Sequence, residues 1–99
     1  MPFELRFTTE AKAAFEALEA DRSREATLKK VRKALGLLSA NPRHPGLRVH
    51  PFHSLKGPRR EVVWEAYVEN QSPGAWRLWF WYGPDRQQIT ILMLGPHPD

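Results

Sequence analysis

The chain contains no cysteine, so neither a disulfide framework nor a thiolate metal site is available to it. It has no run of about 18 apolar residues, which argues against a membrane-spanning helix. The opening MPFELRF lacks a basic stretch followed by an apolar one, so no secretory leader is expected and a cytoplasmic setting is. Without export, the Asn70-Gln71-Ser72 acceptor triplet carries no meaning. There is no HExxH helix, no internal repeat and no low-complexity segment. The 99 residues leave room for one domain, 1–99, with a single core.

Acid is almost missing from the middle of the chain. Residues 22–60 hold eleven basic side chains and one acidic one, Glu25, for a net charge of +10. The flanking segments 1–21 and 61–99 are each −3, which brings the total to +4. Such asymmetry fits a polyanionic or acidic protein partner, or simply a solvated basic helix.

What is present reads as short, well-patterned elements. In FELRF, Phe3, Leu5 and Phe7 alternate with Glu4 and Arg6, the period of a half-buried strand. A helix follows, capped by Thr8 or Thr9, with Ala11, Ala14, Phe15 and Leu18 on one face. A short break at Asp21–Ser23 leads to a second helix, with Ser23 as its expected cap. Its apolar stripe is Leu28, Val31, Leu35 and Leu38, and Lys29, Lys30 and Lys33 lie opposite. The short connection makes the two helices an antiparallel hairpin, which the Asn41-Pro42 step ends. The proline-rich segment to Pro58 is loop-like, with room for one edge strand near Leu47–Phe52. VVWEAYVE and AWRLWFWY are strands separated by the NQSPG turn, and ITILML, apolar on both faces, is a buried central strand. The expected fold is α+β: an N-terminal strand, a helical hairpin, then a mainly antiparallel sheet of three to four strands with the helices on one face.

Alternation assigns the chemistry. With Trp64, Trp76, Leu78, Phe80 and Tyr82 toward the helices, the other face carries Glu65, Tyr67, Glu69, Arg77, Trp79 and Trp81. That face is expected to be open. An open face with an arginine and two aromatic rings suits a phosphate and a stacked base. The alternative is that Trp79 and Trp81 pack under the proline-rich loop as a second small core. His50 and His53 stand three apart around Pro51, with His44 and His97 elsewhere. Without cysteine this is a poor metal pattern, and no metal is expected. General acid or base work suits imidazole better, since it titrates near neutral pH.

In order along the chain, NPRHPGLR, HSLKG, AWRLWFWY and ITILMLGPH make it resemble the RelE/ParE superfamily of toxins from bacterial toxin–antitoxin pairs, and within it the RelE, YoeB and YafQ ribonucleases. The resemblance spans nearly the whole chain. It implies a ribosome-dependent mRNA endonuclease with no cofactor, held in check by a cognate antitoxin. It also implies roles. His53, before the LxG step, takes the place of the catalytic residue. Arg77 matches the arginine that holds the scissile phosphate, and His97 the terminal catalytic histidine. Tyr67 and Glu65 stand where RelE itself has lysines. In the chemistry this implies, one histidine takes the proton of the RNA 2′-hydroxyl and the other protonates the leaving 5′-oxygen, in either order. Arg48, His50, Lys56, Lys29, Lys30, Lys33, Trp79 and Trp81 are the expected RNA-binding set. Two other readings share the fold: a ParE-like inhibitor of DNA gyrase and a non-catalytic binding module.

Overall fold

A computed structural model of the chain describes residues 1–70 and 72–97; Gln71 of the NQSPG turn, Pro98 and Asp99 lie outside the described residues. Strand β1 (Glu4–Phe7) leads into helix α1 (Thr9–Ala20) and, after one 3-10 turn, helix α2 (Glu25–Ala40). A second 3-10 turn, Pro45–Leu47, precedes β2 (His50–Lys56), β3 (Val62–Tyr67), β4 (Trp76–Tyr82) and β5 (Gln88–Pro96). The five strands form one sheet in the order β1-β5-β4-β3-β2. Only the β1–β5 pair is parallel. This is the expected α+β arrangement, and the sheet has five strands because β1 joins it beside β5.

The helices and one sheet face share a single apolar core. Ala11 and Leu18 of α1 and Val31, Ala34, Leu35 and Leu38 of α2 meet Ala66, Leu78, Phe80, Ile89, Ile91 and Leu94, all buried. The stripes on both helices thus face the sheet, as their spacing dictates. Thr8 secures the start of α1 in two ways. Its hydroxyl oxygen accepts from the Ala11 N–H at 3.0 Å and its O–H donates to the Leu92 carbonyl at 2.7 Å. Leu92 is the extra residue of a bulge, since Trp79 pairs with Met93 while Phe80 pairs with Ile91. Ser39 ties the far end of α2 to the N-terminus by donating from its hydroxyl to the Phe3 carbonyl at 2.7 Å.

Four expectations need correction. Ser23 does not cap α2. It instead donates to the Asp21 carboxylate, and the turn between the two helices is organised by Asp21. The strand after the proline-rich loop is an edge strand, but it starts later and runs longer than Leu47–Phe52. Pro51 is tolerated there because an edge strand has an N–H row without a partner. β5 is central, yet the bulge turns Met93 outward to 40% exposure. The largest difference is on the second sheet face. It is closed, not open: Glu65, Arg77, Trp79 and Trp81 are 3%, 4%, 5% and 7% exposed. The cause lies in β2. Between the pairs Pro51–Trp64 and Lys56–Val62, four residues of β2 face one of β3, and the strand leaves its regular register. Phe52 then packs on Trp79 with ring centroids 5.8 Å apart. Trp81 lies over Gly83, where an added Cβ would sit 2.6 Å from the indole, so only glycine fits. Among the described residues no helix is long and apolar enough to cross a membrane.

Candidate functional site

The closed second face has one polar centre, the Glu65 carboxylate on β3. Its Oε1 accepts from the Trp79 indole N–H at 3.2 Å. Three basic groups converge on its Oε2: Arg77 Nε at 3.5 Å, His50 Nε2 at 3.5 Å and His97 Nε2 at 3.7 Å. Burial divides them. The Glu65 and Arg77 side chains are 4% and 5% exposed, whereas His50 and His97 are 44% and 42% exposed. A buried carboxylate is therefore roofed by two imidazoles that also face solvent.

The strands place each member. Register pairs His50 on β2 with Glu65 on β3, and Glu65 with Trp79 on β4. Tyr67 and Arg77 are the next pair along. His97 follows β5, where its backbone N–H donates to the Ala75 carbonyl at 2.8 Å and brings the ring over the end of β4. The His50 ring is oriented from the other side. Its Nδ1 lies 2.8 Å from the Arg48 carbonyl, which can only accept, so Nδ1 carries the proton and Nε2 is the nitrogen turned to Glu65.

Arg77 is held inside the fold. Its Nη1 donates to the Glu69 carbonyl at 2.7 Å and the Trp76 carbonyl at 3.0 Å. Its guanidinium lies 3.7 Å from the centre of the Tyr67 ring, a cation–π stack. The side chain expected to meet phosphate on an open face instead braces Glu65 and Tyr67 from within. The accessible cation is Arg48, exposed and 5.7 Å from the same Tyr67 ring. Arg48 caps the 3-10 turn in the left-handed conformation, with φ 47° and ψ 45°. A side chain held there by the surrounding loop is a common feature of ligand-contacting positions.

The remaining expected residues are dispersed. His53 and Lys56 are exposed on β2, and His53 makes none of the Glu65 contacts. Trp79 and Trp81 are interior residues, so the base-stacking role expected of them is replaced by the second-core packing that was its alternative. The three helix lysines divide between two grooves. Lys30 and Lys33 line a groove with Tyr67 and Glu69, and Lys30 Nζ lies 3.4 Å from Glu69 Oε2. Lys29 lines a different groove with Glu25 and Arg32. The resemblance gives the catalytic place to His53 and an RNA-binding one to His50. The signal it lacked is the β2–β3 register, which the GPRRE turn does not reveal. Among the described residues no three His, Asp or Glu side chains are placed to hold a metal ion.

This arrangement has the parts of a proton-transfer site: two accessible imidazoles, one buried carboxylate between them and an arginine at the rim. No family model matches the chain, and no curated protein does. Solved structures do. The chain is similar to the YoeB/ParE toxin from Agrobacterium tumefaciens, with a TM-score of 0.68 at 15% identity over 96% of this chain and 99% of that one. It is similar to the archaeal RelE of the RelE–RelB complex from Pyrococcus horikoshii, with 0.64 at 16% identity over 97% and 96% of the two chains. The toxin–antitoxin complex RelBE2 from Mycobacterium tuberculosis matches with 0.57 at 24% identity, covering 98% and 100%. Over nearly all of its length, the chain carries the RelE-like fold that these toxins share.

Proposed function

We propose that the chain is the toxin of a toxin–antitoxin pair in the RelE/ParE superfamily, acting in the cytoplasm as a ribosome-dependent, metal-independent mRNA endonuclease. The observation that carries this reading is the pair of half-exposed imidazoles, each with Nε2 within 3.7 Å of one buried carboxylate oxygen. Two of the similar structures are complexes of such a toxin with its partner, which supports a cognate antitoxin as the first protein partner. The net +10 of residues 22–60 supports RNA as the second.

The geometry suggests a division of labour. One imidazole takes the proton of a 2′-hydroxyl; the freed oxygen attacks the adjacent phosphorus. The bond from phosphorus to the 5′-oxygen breaks, and the other imidazole donates the proton that oxygen needs. His50 and His97 fill these roles in either order. Glu65 stabilises whichever ring is cationic, and Arg77 and Trp79 hold Glu65 in place. Arg48 is the cation placed for phosphate. In this scheme His53, which the resemblance puts in the catalytic place, has no part, because it makes none of the contacts to Glu65.

The products identify the mechanism. Purified protein added to a translating extract is expected to cut the mRNA and leave 2′,3′-cyclic phosphate and 5′-hydroxyl ends. Intact mRNA and undiminished translation would overturn the reading. If DNA supercoiling by gyrase were blocked in the same preparation, the ParE-like alternative would replace it.

A further inference from the structure

A second feature lies on the helix side of the sheet, beside the proline-rich loop. There a cleft of about 800 Å³ is floored by Phe3, Trp64 and Tyr82 and rimmed by Arg43, His44 and Arg48. Its volume is that of a small-ligand site, which spans about 300–1,000 Å³. None of its described lining residues is acidic. Tyr82 is central to the floor. Its ring meets Phe3, Trp64 and Phe80 edge-on, at centroid distances of 5.9, 6.4 and 5.7 Å, yet 42% of the residue remains exposed. Partial burial raises the Tyr82 phenol above its ordinary value, and the charge of Arg43, which lines the same cleft, opposes that shift.

Arg48 belongs to both places. It lines this cleft, while its guanidinium reaches the Tyr67 ring and its carbonyl orients His50. We infer that the cleft seats one unpaired nucleotide of the RNA strand, its base against Trp64 and Tyr82 and its phosphates against Arg43 and Arg48, next to the linkage presented to His50 and His97. This rests on the nuclease reading above, whose substrate subsite it names. A fixed aromatic floor under two arginine forks suits a base with its phosphate, because every base has a face to stack and every linkage a charge to neutralise. An acidic peptide would satisfy the arginines and leave the rings without a stacked partner.

The test uses the full chain and a labelled eight-nucleotide 2′-O-methyl RNA, which lacks the nucleophile and cannot be cut. Binding is followed by fluorescence anisotropy across a salt series. Arg43→Ala, at an exposed position, is expected to weaken binding and to flatten the dependence of log affinity on log salt by about 0.7, the value for one phosphate contact to a single strand. Tyr82→Ala is expected to weaken binding about tenfold and leave that slope unchanged, as loss of stacking does. Unaltered binding by Arg43→Ala overturns the inference, whatever Tyr82→Ala does to folding. Adenosine monophosphate binding as tightly as the octamer overturns it in favour of a free-nucleotide site. Polyglutamate displacing the octamer from wild type, but not from Arg43→Ala, overturns it in favour of a protein-docking cleft. Cleavage of mRNA by wild type, read separately, distinguishes the two proposals. Cutting together with unaltered Arg43→Ala binding removes the subsite alone, and absent cutting together with weakened binding removes the nuclease alone.

Discussion

The two faces of the central strands are both buried, but by different chemistry. Toward the helices, β3 and β4 present Ala66, Leu78 and Phe80, each fully buried among apolar neighbours. On the other side they present Val63, Glu65, Arg77, Trp79 and Trp81, where an ion pair and two indoles fill the space. The first face is an apolar core whose removal from water drives folding. The second contains groups whose desolvation opposes folding, offset by Trp79, by the carbonyls that hold Arg77 and by the Tyr67 ring. Among the described residues its satisfaction is incomplete: Arg77 Nε and the Trp81 indole N–H are buried without a hydrogen-bond partner. A face built at such cost is better explained by what it holds at its rim, His50 and His97, than by stability.

The contrast can be broken first in the apolar face. Phe80→Ala should cost about 3–5 kcal/mol through lost burial and a cavity, enough to abolish folding of a small domain. Thermal melting reads this directly. A melting temperature close to that of the wild type would mean that the helix-side face is not the main core.

The ion pair separates the two faces more sharply. Arg77→Ala removes the buried cation beside the Glu65 carboxylate, and should cost about 3 kcal/mol or more. Replacing both partners, as Glu65→Leu with Arg77→Met, should recover most of that stability while leaving the protein inactive. A fully stable Arg77→Ala protein would show that the guanidinium is not a brace. This reverses what an open face would imply, where the same change would fall within about 0.5 kcal/mol.

The smallest effects on stability are expected on α2. Lys30→Glu and Lys33→Glu should each stay within about 0.5 kcal/mol, because exposed ion pairs such as Lys30–Glu69 contribute little. They border Tyr67, so they should still weaken ribosome pelleting and flatten its salt dependence. Lys29→Glu, in a separate groove, should do so less. Equal effects from all three would mean that the helix acts as a diffuse basic surface.

Much of this architecture can be read from periodicity. The apolar stripes of both helices and the alternation of β3 and β4 sort residues to the right faces, because side-chain direction follows from local geometry. Closure of the second face cannot be read that way. It depends on an irregular run of four β2 residues opposite Val63, and bulges leave no periodic trace. The same gap hid the partner of Glu65. His50 and His53 look equivalent along the chain, and only the β2–β3 register brings one of them to the carboxylate. Burial of Arg77 escaped for a related reason. A strand arginine reads as solvent-facing until its carbonyl partners and the Tyr67 ring, supplied by tertiary contacts, are in place.

The most direct test of the account sets the imidazole pair against the brace beneath it. His50→Ala and His97→Ala would be expressed singly, with growth inhibition and thermal melting recorded for the same proteins. Both side chains are more than two-fifths exposed, so each variant should melt within the range of ordinary surface changes, about 0.5 kcal/mol. Each should nonetheless lose the ability to arrest growth, since loss of a positioned acid or base typically lowers rate by about a hundredfold or more. Two folded variants that remain fully toxic would contradict the account, and would assign Glu65 and its partners to the structure of the sheet alone.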